Sequence, residues 1–230
     1  MLRHTALFIW RDSTTAEQKL LTKKGLAYLS YGCPSVRAVD FGVDLLGGSQ
    51  RLLDVKPWER TPMWRARTEG PPTNFDLSLN LDFDDEQGLD DYNHDDVHHE
   101  VGAWDAAVCR PERTARVDWW YDGPPRISRG GVRHTTLFLW DEQAADSAKA
   151  DVRQAFRSLD GVGGVESLLV ADNVGTLKTD YDLIVDVMLD DAESAKSFLE
   201  HPAHLEAVGL AAGATLFEWT ARITHTMGLG

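Results

Sequence analysis

Hydrophobic and polar positions along the chain repeat twice in the same order. Residues 3–10 read RHTALFIW and residues 133–140 read RHTTLFLW, so six of the eight positions are identical. A short apolar run that is rich in aromatic residues predicts a β-strand. We therefore predict two copies of one unit, each beginning with such a strand.

The rest of the second copy predicts the order of the whole unit. Apolar residues from Ala148 to Leu159 recur at helical spacing, and glycines at 161–164 end that helix. Two strands are predicted next, at Val165–Ala171 and at Leu183–Leu189. A helix that is broken at its proline follows at Ala192–Gly209, and a closing strand follows at Leu216–Ile223. The order is β-α-β-β-α-β, the ferredoxin-like arrangement.

Further similarities align the first copy with the second. Residues 84–85 and 190–191 are both Asp-Asp, and aligning them pairs Tyr92 with Phe198 and His98 with His204. We also pair residues 117–119 (VDW) with 217–219 (FEW). At the first helix of the first copy, Thr15 and Gln18 have the spacing of a capping box.

These patterns predict an α+β fold in which two ferredoxin-like repeats turn their antiparallel sheets toward each other. We expect repeats at 1–122 and 133–230, a linker rich in Pro, Gly and Arg at 123–132, and an insertion at about 46–74. An open apolar sheet face must be covered, and the sister sheet can cover it. We expect the functional site in the interior between the two sheets.

Composition excludes several classes of partner. With 43% hydrophobic and 26% charged residues the chain is typical of a globular protein. A net charge of -14 argues against nucleic acid and anionic membrane surfaces as partners. No apolar run approaches the roughly 20 residues that a membrane span needs. With Cys33 and Cys109 as its cysteines, the chain lacks a disulfide framework, and a cytoplasmic location is the expectation.

The two strand-one segments and the HPAH segment at 201–204 resemble those of the stress-responsive dimeric α/β-barrel (Dabb) family. The resemblance extends over most of the chain as two tandem copies, and within the family it points to polyketide cyclases of the olivetolic-acid type. Single-copy members pair as dimers, so the resemblance implies that one chain forms the whole barrel. The chain is then a monomeric pseudo-dimer or forms a homodimer.

The resemblance also implies a site. The family's catalytic His is the last residue of HPAH, which is His204 here and His98 in the first copy, and the catalytic Tyr six residues earlier is Tyr92. Phe198 replaces that Tyr in the second copy, so the first copy holds the complete site. The cyclases also carry a His on the third strand. Leu77 and Leu183 occupy its two positions, which departs from the cyclase pattern.

The implied roles define a hypothesis of cofactor-independent acid–base catalysis. His98 is the acid/base, Tyr92 donates to a developing oxyanion and His4 orients the substrate, as in enolisation, aldol closure or retro-aldol cleavage of a small carbonyl compound. Substrate-binding roles are expected for His134, His204, Phe198, Leu77 and Trp64. The alternative is a non-catalytic, stress-responsive barrel that binds a hydrophobic ligand, with Tyr92 and His98 as ordinary helix residues.

The insertion and the segment from His94 to His98 allow other interpretations of the site. Trp64 lies in the insertion, where basic residues and tryptophans could form a lid or could pair with the chain's own acidic surface. His94 and His98 share a helical face at i, i+4, so a metal with Asp95 is conceivable, although the order is not that of the HExxH motif. No spacing indicates a haem ligand. We predict neither a metal nor another cofactor.

Overall fold

The computed structural model describes residues 1–46, 57–60, 66–68, 73–126, 130–175 and 180–228. The elements before residue 126 are β1 Leu2–Phe8, α1 Ala16–Gly32, β2 Ala38–Val43, β3 Pro57–Arg60, β4 Ala66–Thr68, β5 Thr73–Asn74, β6 Leu77–Phe83, α2 Glu86–Asn93, α3 Asp96–Val108 and β7 Ala115–Trp120. Those after residue 130 are β8 Val132–Phe138, α4 Asp146–Arg157, β9 Val165–Asp172, β10 Leu183–Leu189, α5 Ala192–Glu200, α6 Pro202–Ala214 and β11 Ala221–Thr226.

The elements form two ferredoxin-like halves in one chain. One antiparallel sheet has the strand order β2-β6-β1-β7, and the second has β9-β10-β8-β11, with the two-residue β5 added in parallel beside β11. The sheets also join at their edges, because the amide of Leu45 donates to the carbonyl of Thr224 at 2.7 Å and that of Val174 donates to Asp118 at 2.7 Å. The predicted fold class is confirmed.

Side-chain caps set the starts of α1, α2 and α5. The hydroxyl of Thr15 accepts from the Gln18 amide at 3.2 Å, and the Gln18 side chain accepts from the Thr15 amide at 2.9 Å, which completes the predicted capping box. Asp85 and Asp191 cap α2 and α5 in the same way as each other. The repeated Asp-Asp pair therefore marks the point where a strand ends and a helix begins.

Each sheet separates two packed layers. On β6 the odd-numbered leucines and Phe83 face the helices, while Ser78, Asn80 and Asp82 point toward the other sheet. One apolar cluster lies between sheet and helices in each half. A third cluster, which includes Leu7, Trp119 and Ile184, fills space between the sheets.

Buried side chains fill much of the interior between the sheets, where we expected the site. Beside the third apolar cluster, the fully buried Arg3 and Arg133 meet three carboxylates. Arg3 Nε lies 2.6 Å from Asp82, Arg133 contacts Asp40 of the other half, and Arg133 Nε lies 3.4 Å from Asp186. These ion pairs and the apolar side chains occupy the space between the halves, and they tie one half to the other.

The last strand of the second half lies further along the chain than we predicted. β11 is Ala221–Thr226, while residues 217–219 form a 3₁₀ turn equivalent to the turn at residues 111–113. The pairing of 117–119 with 217–219 was therefore wrong. Strand register shows the true correspondence, because His4 lies opposite Asp118 and His134 lies opposite Thr224.

The linker supplies an ion pair to the interior, and the insertion supplies a short β-ribbon. Arg126 of the linker reaches into the interior and lies 3.3 Å from Asp186. Within the insertion, β3 and β4 pair as an antiparallel ribbon. Trp64, a predicted substrate-binding residue, lies outside the described residues. None of the helices in the described ranges combines the length and apolar character needed to cross a bilayer.

Candidate active site

A cavity of about 270 Å³ lies between the sheet and the helices of the first half. Its apolar wall comes from β1, α1, β6 and α3 and includes Ala6, Phe8, Leu26, Leu29, Leu79 and Val101. Its polar and titratable lining residues are His4, Tyr92, His98, Asp105, Cys109, Thr114 and Arg116. The three predicted catalytic residues of the first repeat therefore share one cavity, on the outer face of the sheet.

His4 is held by a carboxylate from the neighbouring strand. It lies opposite Asp118 across β1 and β7, and its Nδ1 is 2.6 Å from the Asp118 carboxylate. Because an ionised carboxylate can only accept, this pairing places the proton on Nδ1 and leaves Nε2 available on the imidazole ring. Asp118 is itself placed by the second half, since its amide donates to the Asn173 side chain at 2.9 Å.

Tyr92 and His98 meet across the break between α2 and α3. Asp95 caps α3 by accepting from the Val97 amide at 2.8 Å, which starts the new helix just before His98. The rings of Tyr92 and His98 then stack, with centroids 4.0 Å apart and planes inclined by 27°. The six-residue spacing brings the two side chains together as neighbouring walls of the cavity. The His4 ring lies 6.4 Å from that of Tyr92.

Burial sets the protonation states of this pair. Desolvation raises the pKa of Tyr92 far above its ordinary value, so Tyr92 keeps its proton and remains a hydrogen-bond donor. Desolvation lowers the pKa of His98 below 6.5, and the nearby His4 and His99 lower it further by smaller amounts. At neutral pH His98 is therefore an uncharged imidazole that can take a proton. Its Nδ1 is buried and has no hydrogen-bond partner within the described residues.

Asp105 is a cavity residue that our reading of the sequence missed. It lies two helical turns after His98 on α3 and is 7% exposed. Burial raises its pKa from 3.8 to about 7. The signal that could have revealed it is the spacing, because residues seven apart on a helix share a face.

The second half keeps the framework of the site with different side chains. His134 Nδ1 lies 2.8 Å from the hydroxyl of Thr224, which takes the place of Asp118. Burial lowers the pKa of His134 to about 3, so this ring stays neutral. His134, Phe198 and His204 pack against one another, with Phe156 beside His204. These residues share no cavity with the first-half group.

Helix register extends this comparison to two wall positions. α1 and α4 begin at equivalent residues, Ala16 and Asp146, which matches Leu26 with Phe156. α3 and α6 begin at Asp96 and Pro202, which matches Asp105 with the buried Ala211. At these two positions the second half therefore has the ring of Phe156 in place of the Leu26 side chain, and a methyl group in place of the Asp105 carboxyl.

The remaining candidate residues lie elsewhere. Leu77 is fully buried in the first-half apolar cluster and does not line the cavity, whereas Leu79 does. His94 is exposed and its Nδ1 lies 2.8 Å from the Asp90 carbonyl, away from the cavity. Over the described part of the chain, no three His, Cys, Asp or Glu side chains are placed to hold a metal ion. Cys33 and Cys109 are free and buried.

Comparison with known families places the second half. Residues 132–220 match the model of the stress responsive A/B barrel domain (Dabb). Over these residues the second half is similar to that domain family. The first half repeats the topology of the second. The match is to the domain family and does not single out the polyketide cyclases within it. No curated protein matches the sequence.

Solved structures of similar fold cover nearly the whole tandem chain. An "anthrone oxidase-like protein" superposes with a TM-score of 0.61 at 13% identity, over 99% of this chain and 91% of that one. The "putative monooxygenase" of Fusobacterium nucleatum gives a TM-score of 0.57 at 8% identity, over 98% and 91%. Another from Lactobacillus acidophilus gives 0.50 at 9% identity, over 99% and 92%. At these identities the likeness concerns the fold.

Proposed function

We propose that this protein is a cofactor-independent enzyme that removes a proton beside a carbonyl group of a small, largely apolar molecule. The observation that carries the proposal is the shared cavity of Tyr92, His98 and the His4–Asp118 pair. A neutral base, a protonated phenol and an oriented imidazole are the groups that enolisation needs.

The proposed step assigns one role to each side chain. The C–H bond next to the carbonyl breaks, its proton passes to neutral His98, and its electron pair forms an enolate. Tyr92 donates a hydrogen bond to the enolate oxygen, and His4, oriented by Asp118, positions the substrate. The enolate then attacks a second carbonyl carbon, as in an aldol cyclisation, and the alkoxide that results takes the proton from His98. Alternatively, the enolate itself takes the proton back from His98. The step needs no oxidant or reductant.

Cavity size limits the substrate. An apolar protein cavity of about 150 Å³ accommodates benzene, and this cavity is about 270 Å³. A molecule with one substituted ring, or an open chain of similar volume, therefore fits the space. The apolar wall favours such a molecule over a sugar or a nucleotide.

The test uses acetophenone in D₂O, with replacement of its methyl hydrogens by deuterium followed by proton NMR. The wild-type chain should accelerate the exchange. His98→Ala should lower the enzymatic rate by roughly 100-fold or more, because it removes the base. Tyr92→Phe, which copies Phe198 of the second half, should lower it by about 100-fold through loss of the oxyanion donor.

His94→Ala is the matched control, because His94 belongs to the same segment as His98 but is exposed and outside the cavity. Its rate should equal that of the wild type. Exchange that persists unchanged in His98→Ala would contradict the proposal. Tight binding of acetophenone with no exchange in any variant would instead favour the non-catalytic ligand-binding protein, and native mass spectrometry would then show whether the purified chain retains a ligand.

A further inference from the structure

We infer that Asp105 is the polar anchor of the first-half cavity, where its carboxyl group donates a hydrogen bond to an oxygen atom of a neutral bound molecule. The inference deepens the proposed function, on which it rests for the identity of the cavity as a ligand site. It names the class of ligand as neutral carbonyl or phenol compounds, and it excludes carboxylates.

The position of Asp105 points to a ligand. The residue is 7% exposed, and its Oδ1 makes no hydrogen bond to any residue in the described ranges. It lines the cavity together with His98, from the same face of α3. A buried polar atom without a partner is costly, and native folds satisfy nearly all such atoms. A bound molecule in the cavity would supply the missing partner.

The fold itself does not require a carboxyl at this place. The equivalent residue of the second half is Ala211, which is fully buried in α6. A methyl group is therefore sufficient to pack this helix position in the other half of the same fold. The first half carries a buried acid that costs folding stability, and that acid occurs in the half that also holds Tyr92 and the His4–Asp118 pair.

Burial, and no charged neighbour, accounts for the raised pKa of Asp105. The titratable groups that face the cavity from the surrounding elements are His4 of β1, Tyr92 of α2, His98 and Cys109 at α3, and Arg116 of β7. His4 is paired with Asp118, and Arg116 lies 4.0 Å from Asp180, so the carboxylates of other elements hold both. α1 contributes leucines to the cavity wall.

Desolvation then decides the state of the carboxyl. It raises the pKa of Asp105 to about 7, without a cation that would lower it again. Around neutral pH much of Asp105 is a carboxylic acid, which can donate to a carbonyl oxygen. A carboxylate ligand would meet the acid of Asp105 and the neutral imidazole of His98, and the cation of the lining, Arg116, already lies 4.0 Å from Asp180. The charge of such a ligand would therefore be poorly compensated beside Asp105.

The experiment compares three probes that share a phenyl ring and differ in charge: acetophenone, benzoate and benzylamine. Dissociation constants are measured by NMR titration between pH 6.5 and 8.5, where His98 stays uncharged. Acetophenone should bind best, and its affinity for the wild type should fall roughly 20-fold over this range, because only the protonated fraction of Asp105 is competent.

Two variants isolate the contribution of Asp105. Asp105→Asn keeps a donor but cannot titrate, so acetophenone should bind it with the same affinity at every pH. Asp105→Ala copies Ala211, and it should fold but bind acetophenone at least about tenfold more weakly than the wild type at pH 6.5.

Several outcomes would overturn the inference. These are acetophenone affinity that is unchanged in Asp105→Ala, benzylamine binding that is tightest and strengthens as the pH rises, and failure of all three probes to bind the wild type. The result is separable from the proposed catalysis. If acetophenone binds with the expected pH dependence but its hydrogens do not exchange, the role of Asp105 in binding is supported and the proposed catalysis is refuted. If exchange occurs and does not change in the Asp105 variants, the proposed catalysis is supported and the role of Asp105 is refuted.

Discussion

Asp105→Asn removes a buried carboxyl whose ionisation opposes folding. Its pKa is about 7 in the folded chain, against 3.8 for an ordinary aspartate. The folded state therefore holds the proton more tightly than the unfolded state, so the stability that this proton contributes is complete below pH 3.8. It is lost as the pH rises to about 7. Above that pH both states are ionised and the loss is constant.

The magnitude follows from the same two values. Each pH unit between them costs about 1.4 kcal/mol. From pH 5 to pH 7 the wild type should therefore lose about 2 kcal/mol that the Asn variant does not lose, because half of the folded-state carboxyl is already ionised at pH 7. Asp105 is 7% exposed, so solvent screening reduces this figure little.

Urea unfolding at pH 5, 6, 7 and 8, followed by tryptophan fluorescence, measures the effect. The free energy of unfolding of Asp105→Asn, relative to the wild type, should rise by about 2 kcal/mol between pH 5 and 7 and then level off. Glu100→Gln is the control, because Glu100 lies on the same helix and is exposed. It should follow the wild type at every pH. A difference between Asp105→Asn and the wild type that stays constant with pH would refute the reasoning.

Three further predictions follow from other contacts. Asp118→Thr copies Thr224 and should fold normally, but loss of the carboxylate that orients the imidazole should lower deuterium exchange by about 100-fold or more. Arg133→Met leaves buried carboxylates unpaired and should lower the free energy of unfolding, measured in urea, by about 3–5 kcal/mol. Arg37→Ala, which removes an exposed ion pair, should lower it by less than about 1 kcal/mol. Because the pKa of His98 is lowered, the exchange rate should persist below pH 6.5 and fall only as the pH drops through that lowered pKa; a rate already falling above pH 6.5 would contradict this.

Local patterns predicted the elements well where each side chain had a clear local task. The capping box at Thr15 and Gln18 is present, and the strand predicted at Leu183–Leu189 has those bounds in the structure. The helix break at Pro202 is also present, since α5 ends at Glu200 and α6 begins at Pro202. Caps and breaks depend on a few neighbouring residues, so the sequence is sufficient to locate them.

The misaligned closing strand shows where similarity of letters fails. FEW at 217–219 resembles VDW at 117–119, but it forms a turn, and Ala221–Thr226 is the strand. Hydrogen-bond register with β8 decides which residues pair. Short aromatic segments carry no information about that register. With the true register, Thr224 is recognised as the residue that replaces Asp118.

The sequence by itself determined the repeat, the element order and the fold class, because these arise from periodicity and spacing along the chain. The grouping of Tyr92 with His98 came from the resemblance to the Dabb family. Only the tertiary structure decided which side of the sheet holds the cavity. β1, β6 and β8 are covered on both faces, and β6 and β8 are buried along their entire length. β6 alternates apolar and polar residues, but because both of its faces are buried, that alternation does not show which face borders the cavity. The partners of His4 and the burial of Asp105 likewise depend on strand register and layer packing between segments far apart in the chain.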